Sequence, residues 1–384
     1  MVSNTEKIKL KATFLSVKTM EKLRPKRTVK SNKEHLKAAI EWLKRAQDST
    51  RDGGVSGGYF EYIGWDASYP ETTGYIIPSF FDYAHFAHDP DCERRAINMA
   101  DYLLSIQMPN GAFRIGSLGV FPIGGPEVFD TGQVLQGLTR CYKETKIEKY
   151  LVSAVKAADW IVDVQEKDGS WVKYSYHGIS HTFYTRVALA LLDLCDVVKE
   201  SKYREAAFKN VKWALTNCAE NGWMHRCGSE DYLMSNPWTH FIGYAVEGII
   251  ECGVRLNNEQ FIQTATRTMN ALLTKSKTDG WIRASYDKNW ESNDNYSCLV
   301  GNAQIALIWL RLYELTKDSK YFDEAFTANN YLKSTQLLNN WNKGVKGGIK
   351  GSQPIDGKYN RNRYLNWAAK FFVDLQMKID TQIP

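Results

Sequence analysis

The chain has 384 residues, 43% of them hydrophobic, enough to bury a large core, and a formal net charge of +6. Residues 1–30 hold nine Lys/Arg against Glu6 and Glu21, a net of +7 that leaves the remainder near neutral at −1, with no basic face for nucleic acid. No stretch approaches the roughly 20 apolar residues that span a bilayer, no signal-like segment opens the chain, and seven cysteines without a C-x-x-C pair read as free thiols in a cytoplasmic setting.

Residues 1–30 read as a basic, flexible arm, with peripheral contact to an anionic membrane as its alternative use. Residues 31–384 read as one domain. From Gln47 onward one turn recurs: "QDSTRDGGVSGGYF", "QMPNGAFR" from Gln107, "QEKDGSWVKY" from Gln165, "CAENGWMHR" from Cys218, "KSKTDGWIRASY" from Lys275 and "QLLNNWNKGVKGGIKG" from Gln336. The starts lie 53 to 61 residues apart, the span of two helices and two loops. Before each turn stands an amphipathic helix, as in "RRAINMADYLLSIQ" and "FIQTATRTMNALLTK". After each comes a polar loop and a second, almost wholly apolar helix: "GYIIPSFFDYAHFA", "TGQVLQGLTRCYKE", "HTFYTRVALALLDLC", "THFIGYAVEGIIECG", "SCLVGNAQIALIWLRLYEL" and "LNWAAKFFVDLQMKI". Twelve helices in charged-outside and apolar-inside sets predict an all-α fold, an (α/α)6 toroid of six helical hairpins whose long loops converge on one depression.

Those loops carry the candidate chemistry. Glu71 and Asp130 each open an inner helix just after an aromatic residue, and two carboxyls in neighbouring loops suit an acid/base pair, with Asp66 and Glu127 as nearby substitutes. His181 and His240 stand beside a Thr with a Tyr within one turn, and Tyr184 and Arg186 follow His181 on the same helix. Tyr69, Tyr176 and Trp238 offer flat faces for pyranose C–H groups, while Asn236, Asp294, Asn302 and Asn366 would complete a ring of hydrogen-bonding groups. Trp171, Trp223 and Trp281, at the turns themselves, read as wedges between hairpins rather than as ligand contacts. The chain lacks a Walker loop, a G-x-G-x-x-G turn after a strand, a G-x-S-x-G elbow and H-E-x-x-H. Cys218, Cys227, His225 and His240 match no standard zinc spacing. Neither cofactor nor metal is therefore expected.

The six turns with their polar loops resemble the six-hairpin glycosidase-like toroids, a superfamily of hydrolases, uronate lyases and sugar epimerases, over nearly the whole chain after about residue 34. More narrowly, "YPETTGY", "FDTGQVLQGL", "HTFYTRVALALLDL", "SCLVGNAQIALIWLRLYELT" and "GGIKGSQPI" followed by "NWAAKFF" look like a family of bacterial and archaeal exopolysaccharide-biosynthesis proteins of the VpsJ-like kind. The hydrolase pattern implies Glu71 and Asp130 as acid and base. The lyase and epimerase pattern implies His181, Tyr184 and His240 as proton donors and acceptors, with Arg186 or Asn236 neutralising a uronate carboxylate. The expectation is a carbohydrate-active enzyme on an acidic, uronate-bearing surface polysaccharide or its precursor, by hydrolysis first and C5 epimerisation or β-elimination second. A non-catalytic glycan-binding protein is the competing class. Terpene cyclases also use toroids with Gln-Trp turns, but D-x-D-D and D-D-x-x-D are absent.

Overall fold

A computed structural model describes residues 29–116, 124–228 and 236–382, so the arm expected over 1–30 lies, save its last two residues, outside the described residues. Twelve α-helices occur among the described residues: α1 (Asn32–Asp48), α2 (Pro70–Ala87), α3 (Pro90–Ile106), α4 (Val128–Thr145), α5 (Glu148–Asp163), α6 (Thr185–Val198), α7 (Ser201–Leu215), α8 (Thr239–Leu256), α9 (Glu259–Leu273), α10 (Leu299–Thr316), α11 (Ser319–Thr335) and α12 (Asn366–Asp380). None is long and apolar enough to cross a membrane.

The odd-numbered helices form the outer layer. In α9, Phe261, Thr264, Ala265, Thr268, Met269 and Leu272 are buried at three- and four-residue steps, which is one stripe of a helix. Four of the six outer helices start with a side-chain cap, and α5 and α7 do not. Ser31 and Glu34 form a capping box on α1, and Asp89, Asn258 and Asp318 cap α3, α9 and α11. The even-numbered helices form the inner layer, buried on nearly every side. Each packs on the next, α2 on α4 through to α10 on α12, and α12 returns to α2, closing the six-membered ring. Behind them α3, α5, α7, α9 and α11 cover α2, α4, α6, α8 and α10, while α1 covers α12. Short strands pin the closure: β1 (Gly58–Phe60) pairs with β2 (Gly64–Trp65) and with β5 (Arg363–Leu365), and β3 (Ser297–Cys298) pairs with β4 (Ser352–Gln353), all antiparallel.

The recurring turn is a joint between neighbouring units. The amide of Gln107 donates both to Gly111 O inside its own turn and to Ser153 O on α5. Gln47, Gln165 and Gln336 do the same toward α3, α7 and α1. Gly111 has φ of +93° and a Cβ there would stand 2.3 Å from Lys156 O, so both conformation and close approach require glycine. The indoles of Trp171 and Trp223 donate to Ile161 O and Tyr286 O. Trp223 thus reaches the next unit's loop and Trp171 stays within its own hairpin, while the third turn tryptophan, Trp281, is half-buried against Lys277 and Arg283.

The ring has two unlike ends. Outer-to-inner connections are the long loops. Inner-to-outer connections are two residues each, and the first residue of every one, His88, Lys146, Lys199, Asn257 and Lys317, is left-handed with φ between 53° and 61°. Polar pairs between neighbouring inner helices encircle this second end: Arg140–Asp82 at 2.6 Å, Gln136–Asp193 at 3.5 Å, Arg255–Asp193 at 2.6 Å, Arg311–Glu251 at 2.7 Å, Lys378–Glu314 at 2.9 Å and Ser79–Asp374 at 2.6 Å.

Candidate active site

A common hydrogen bond sets the register of the inner helices. The N–H groups of Val128, Thr182, Thr239, Leu299 and Asn366 bond to Tyr174 O, Arg226 O, Ala284 O, Gly351 O and Gly57 O, each in an adjoining unit's loop. Pro70 holds the like place in α2, because Val55 N bonds Thr73 Oγ1 as Phe113 N bonds Thr131 Oγ1, each three residues on. The next residue in each unit is Glu71, Phe129, Phe183, His240, Val300 and Trp367. All but Val300 line a cavity of about 620 Å³ at the long-loop end. Tyr69, Tyr176, Trp238 and Phe241 add walls from the loops and first turns, and Tyr359, Asn360, His177 and Gly116 lie around them.

This register separates residues that look equivalent in the sequence. Asp130 is one residue past Phe129, about 100° further round the helix, so it matches Thr72 and not Glu71. It is wholly buried behind the cavity wall, against the Glu127 carboxyl and the Gly116 backbone. His181 precedes Thr182 as Trp238 precedes Thr239, two residues out of step with His240. The regular helix α6 begins only at Thr185, after a 3-10 turn over Thr182–Tyr184. His181 is buried with Nε2 3.0 Å from Tyr176 O, and burial depresses it to about 4.

Below the wall lies a second layer, about one helical turn down: Tyr75, Gln133, Arg186, Tyr244, Gln304 and Phe371. The Tyr244 hydroxyl donates to that of Tyr75 at 3.3 Å, and both rings reach the cavity as its floor. Beneath them the Arg186 guanidinium stands 5.0 Å from the Tyr244 ring, 5.5 Å from Tyr75 and 5.3 Å from Phe371. It donates to Gln133 Oε1 at 2.7 Å and pairs with Glu247. Arg186 is therefore outside the cavity, with its charge already matched.

Of the remaining expected binding residues, none lines the cavity. Asn302 donates to Gly280 O, and Asn366 to Ser56 O and Thr72 Oγ1, so both hold loops in place. Asp294 accepts from Ser285 Oγ at 2.7 Å. Asn236 is exposed beside the segment 229–235 that lies outside the described residues. Tyr184 donates its hydroxyl to Glu127 and accepts from Tyr176 N at 2.9 Å, which locks the third loop against the second. Tyr75 was not singled out in the sequence, and Tyr244 only as the Tyr one turn from His240, although the repeated Gly-Tyr pair of "TTGY" and "FIGY" marks both at one distance from the helix start.

Three buried carboxyls stand within electrostatic reach of one another. Glu71 is pushed up to about 7, chiefly by burial and further by the charge of Glu127, against a hydrogen bond from Tyr69 and the pull of Arg186. Burial and the charges of Glu127 and Glu71 hold Asp130 well above the usual carboxylate range. Glu127 caps α4 by accepting from Asp130 N, and burial raises it despite its hydrogen bonds. His240 is depressed to about 3 by burial, which outweighs its 2.8 Å contact to Gln304 Oε1. Near neutrality the cavity thus presents a carboxyl poised between its two states and an uncharged imidazole.

No protein-family model matches the chain, and no curated protein sequence matches it. Solved structures do match in fold. An unsaturated glucuronyl hydrolase specific for heparin is 16% identical with a TM-score of 0.73, over 92% of this chain and 98% of that one. The cellobiose 2-epimerase from Bacillus thermoamylovorans is 13% identical with a TM-score of 0.72, over 92% and 98%. A D-mannose isomerase is 12% identical with a TM-score of 0.72, over 92% and 97%. In fold the chain is an (α/α)6 toroid, as these neighbours are.

Proposed function

We propose that the protein is a carbohydrate-processing enzyme working by acid/base catalysis, that Glu71 is its proton donor, and that its reaction is hydrolysis of a glycosidic bond. The observation that carries this is Glu71 itself. Among the described lining residues it is the one carboxyl, and its shift to about 7 keeps a proton available near neutral pH. Protonating the glycosidic oxygen lets the leaving sugar depart while water adds to the anomeric carbon. Asp130, the base expected from the sequence, is buried behind Phe129 and held in its protonated form, so the proton of the attacking water is taken up by the Glu71 carboxylate once it has donated its own. The aromatic walls supply stacking faces for sugar rings. Similarity in fold to hydrolases and epimerases of sugars supports the substrate class.

A second reading is proton removal and return at a ring carbon, as in epimerisation. It is favoured by one observation: His240 shares the cavity with Glu71, whereas Asp130 does not. In it His240 takes the proton and Glu71 supplies one on the other side, while His181 and Tyr184 hold the frame. The uronate part of the sequence expectation rested on Arg186 or Asn236; Arg186 lies beneath the floor, and Asn236 is exposed and does not line the cavity. A surface glycan as the wider setting rests on the exopolysaccharide-like motifs, and the seven unpaired thiols support a reducing compartment.

Proton NMR of oligosaccharides incubated with the enzyme in heavy water tests both. New reducing-end signals that vanish with Glu71→Gln are expected. Deuterium entering a ring carbon, lost with His240→Ala, would select the second reading. Binding without any conversion would make this a glycan-holding protein.

A further inference from the structure

We propose that the sugar ring seated over Glu71 is uncharged, so that the substrate is a neutral saccharide and not a uronate; this rests on the saccharide reading above. The sequence expectation was the opposite. Recognition of a buried carboxylate needs a cation or a set of donors to replace its water. Among the described lining residues there is no Lys or Arg.

Cations do approach from below, but each is engaged there. Arg186 is matched by Glu247 and Gln133, and the Tyr75 and Tyr244 rings stand between it and the cavity. Lys370 pairs with Asp374 at 2.6 Å, with its ammonium 4.2 Å from the Phe371 ring centre. At the side, Arg226 donates to Ser180 Oγ at 2.6 Å and is not a lining residue. Facing the ligand from α2 is Glu71, with Glu127 and Asp130 behind it on α4 and its cap. A uronate would add a fourth carboxyl to that group. The groups nearest Glu71 are neutral, Tyr69, Tyr75, Tyr176, Tyr244 and His240, and the exposed His177 imidazole lines the rim. Such rings and hydroxyls bind the C–H faces and hydroxyl groups of an uncharged pyranose.

Saturation-transfer NMR titration with matched pairs tests this: methyl glucoside against methyl glucuronide, with the mannose and galactose pairs, at pH 6 and pH 8. The neutral member is expected to bind at least about tenfold more tightly. The preference should widen at pH 8, when Glu71 is ionised, and Glu71→Gln should remove the widening. A uronide that binds as well as its neutral partner overturns the charge proposal and leaves the saccharide reading standing. If no member of any pair binds, both fall.

Discussion

The two ends of the ring are built by the same twelve helices and obey different rules. At the short-connection end, polar groups are paired across every inner-helix boundary, four of the six pairs being partly exposed ion pairs that contribute little, about 0–1 kcal/mol each. At the long-loop end, carboxyls and imidazoles are buried with incomplete partners, and their preferred protonation states are altered. Tyr184 and Arg186 brace that arrangement. The contrast teaches that the first end specifies the ring and the second gives up stability for chemistry. Substitutions should therefore move activity at one end and only stability at the other.

The sharpest break is expected at Glu71. Glu71→Gln should lower turnover at least about 100-fold, the lower range for a general acid, measured by the NMR assay. Asp130→Asn should cost less, because that carboxyl is a helical step away from the cavity wall. Equal losses from both would erase the distinction in register.

Stability against pH comes next. Glu71 has a folded value raised from 4.5 to about 7, so its contribution is fully present below 4.5 and is lost as pH rises through 7. The loss is on the order of 3 kcal/mol by pH 8. Glu71→Gln should remove this fall, and urea unfolding at pH 5 and pH 8 should show the variant more stable than the parent at the higher pH.

His240 acts on the opposite limb. Its folded value lies at about 3, below 6.5 in the unfolded chain, so stability present above pH 6.5 is lost as pH falls toward 3. His240→Gln should recover about 2 kcal/mol at pH 5, seen as a rise in the urea midpoint there. His181, at about 4, contributes to the same limb.

The smallest effect belongs to the other end. Lys199 holds a left-handed φ of 61°, which costs a side chain of this kind roughly 1 kcal/mol. Lys199→Gly should stabilise by about that amount in thermal unfolding and leave turnover unchanged. A fall in turnover would mean that the two ends are coupled.

The ring was legible from the sequence because its evidence is periodic: six turns at near-constant spacing, apolar helices after each, and glutamines that do one job in four units. What was not legible was phase within a helix. Glu71 and Asp130 look equivalent in loops of different length, and only the Thr73 and Thr131 hydrogen bonds show them to be one residue apart in register. Arg186 reads as a carboxylate grip because a buried guanidinium and an exposed one have the same letter, and its partner Glu247 lies 61 residues on. The left-handed connections carry Lys, His and Asn where the sequence signal is glycine, so they passed unseen. Aromatic wedges and aromatic walls were separable only by position, Trp171 at a turn and Trp367 on an inner helix.

The most direct test of the account is the titration of the Glu71 carboxyl by ¹³C NMR in protein labelled at glutamate side chains, assigned with Glu71→Gln. A midpoint near 7 is expected, with the resonance showing a protonated carboxyl at pH 6. A midpoint near 4.5 would mean an ionised Glu71 at neutral pH, and with it the proton donor on which the proposed reaction depends would be gone.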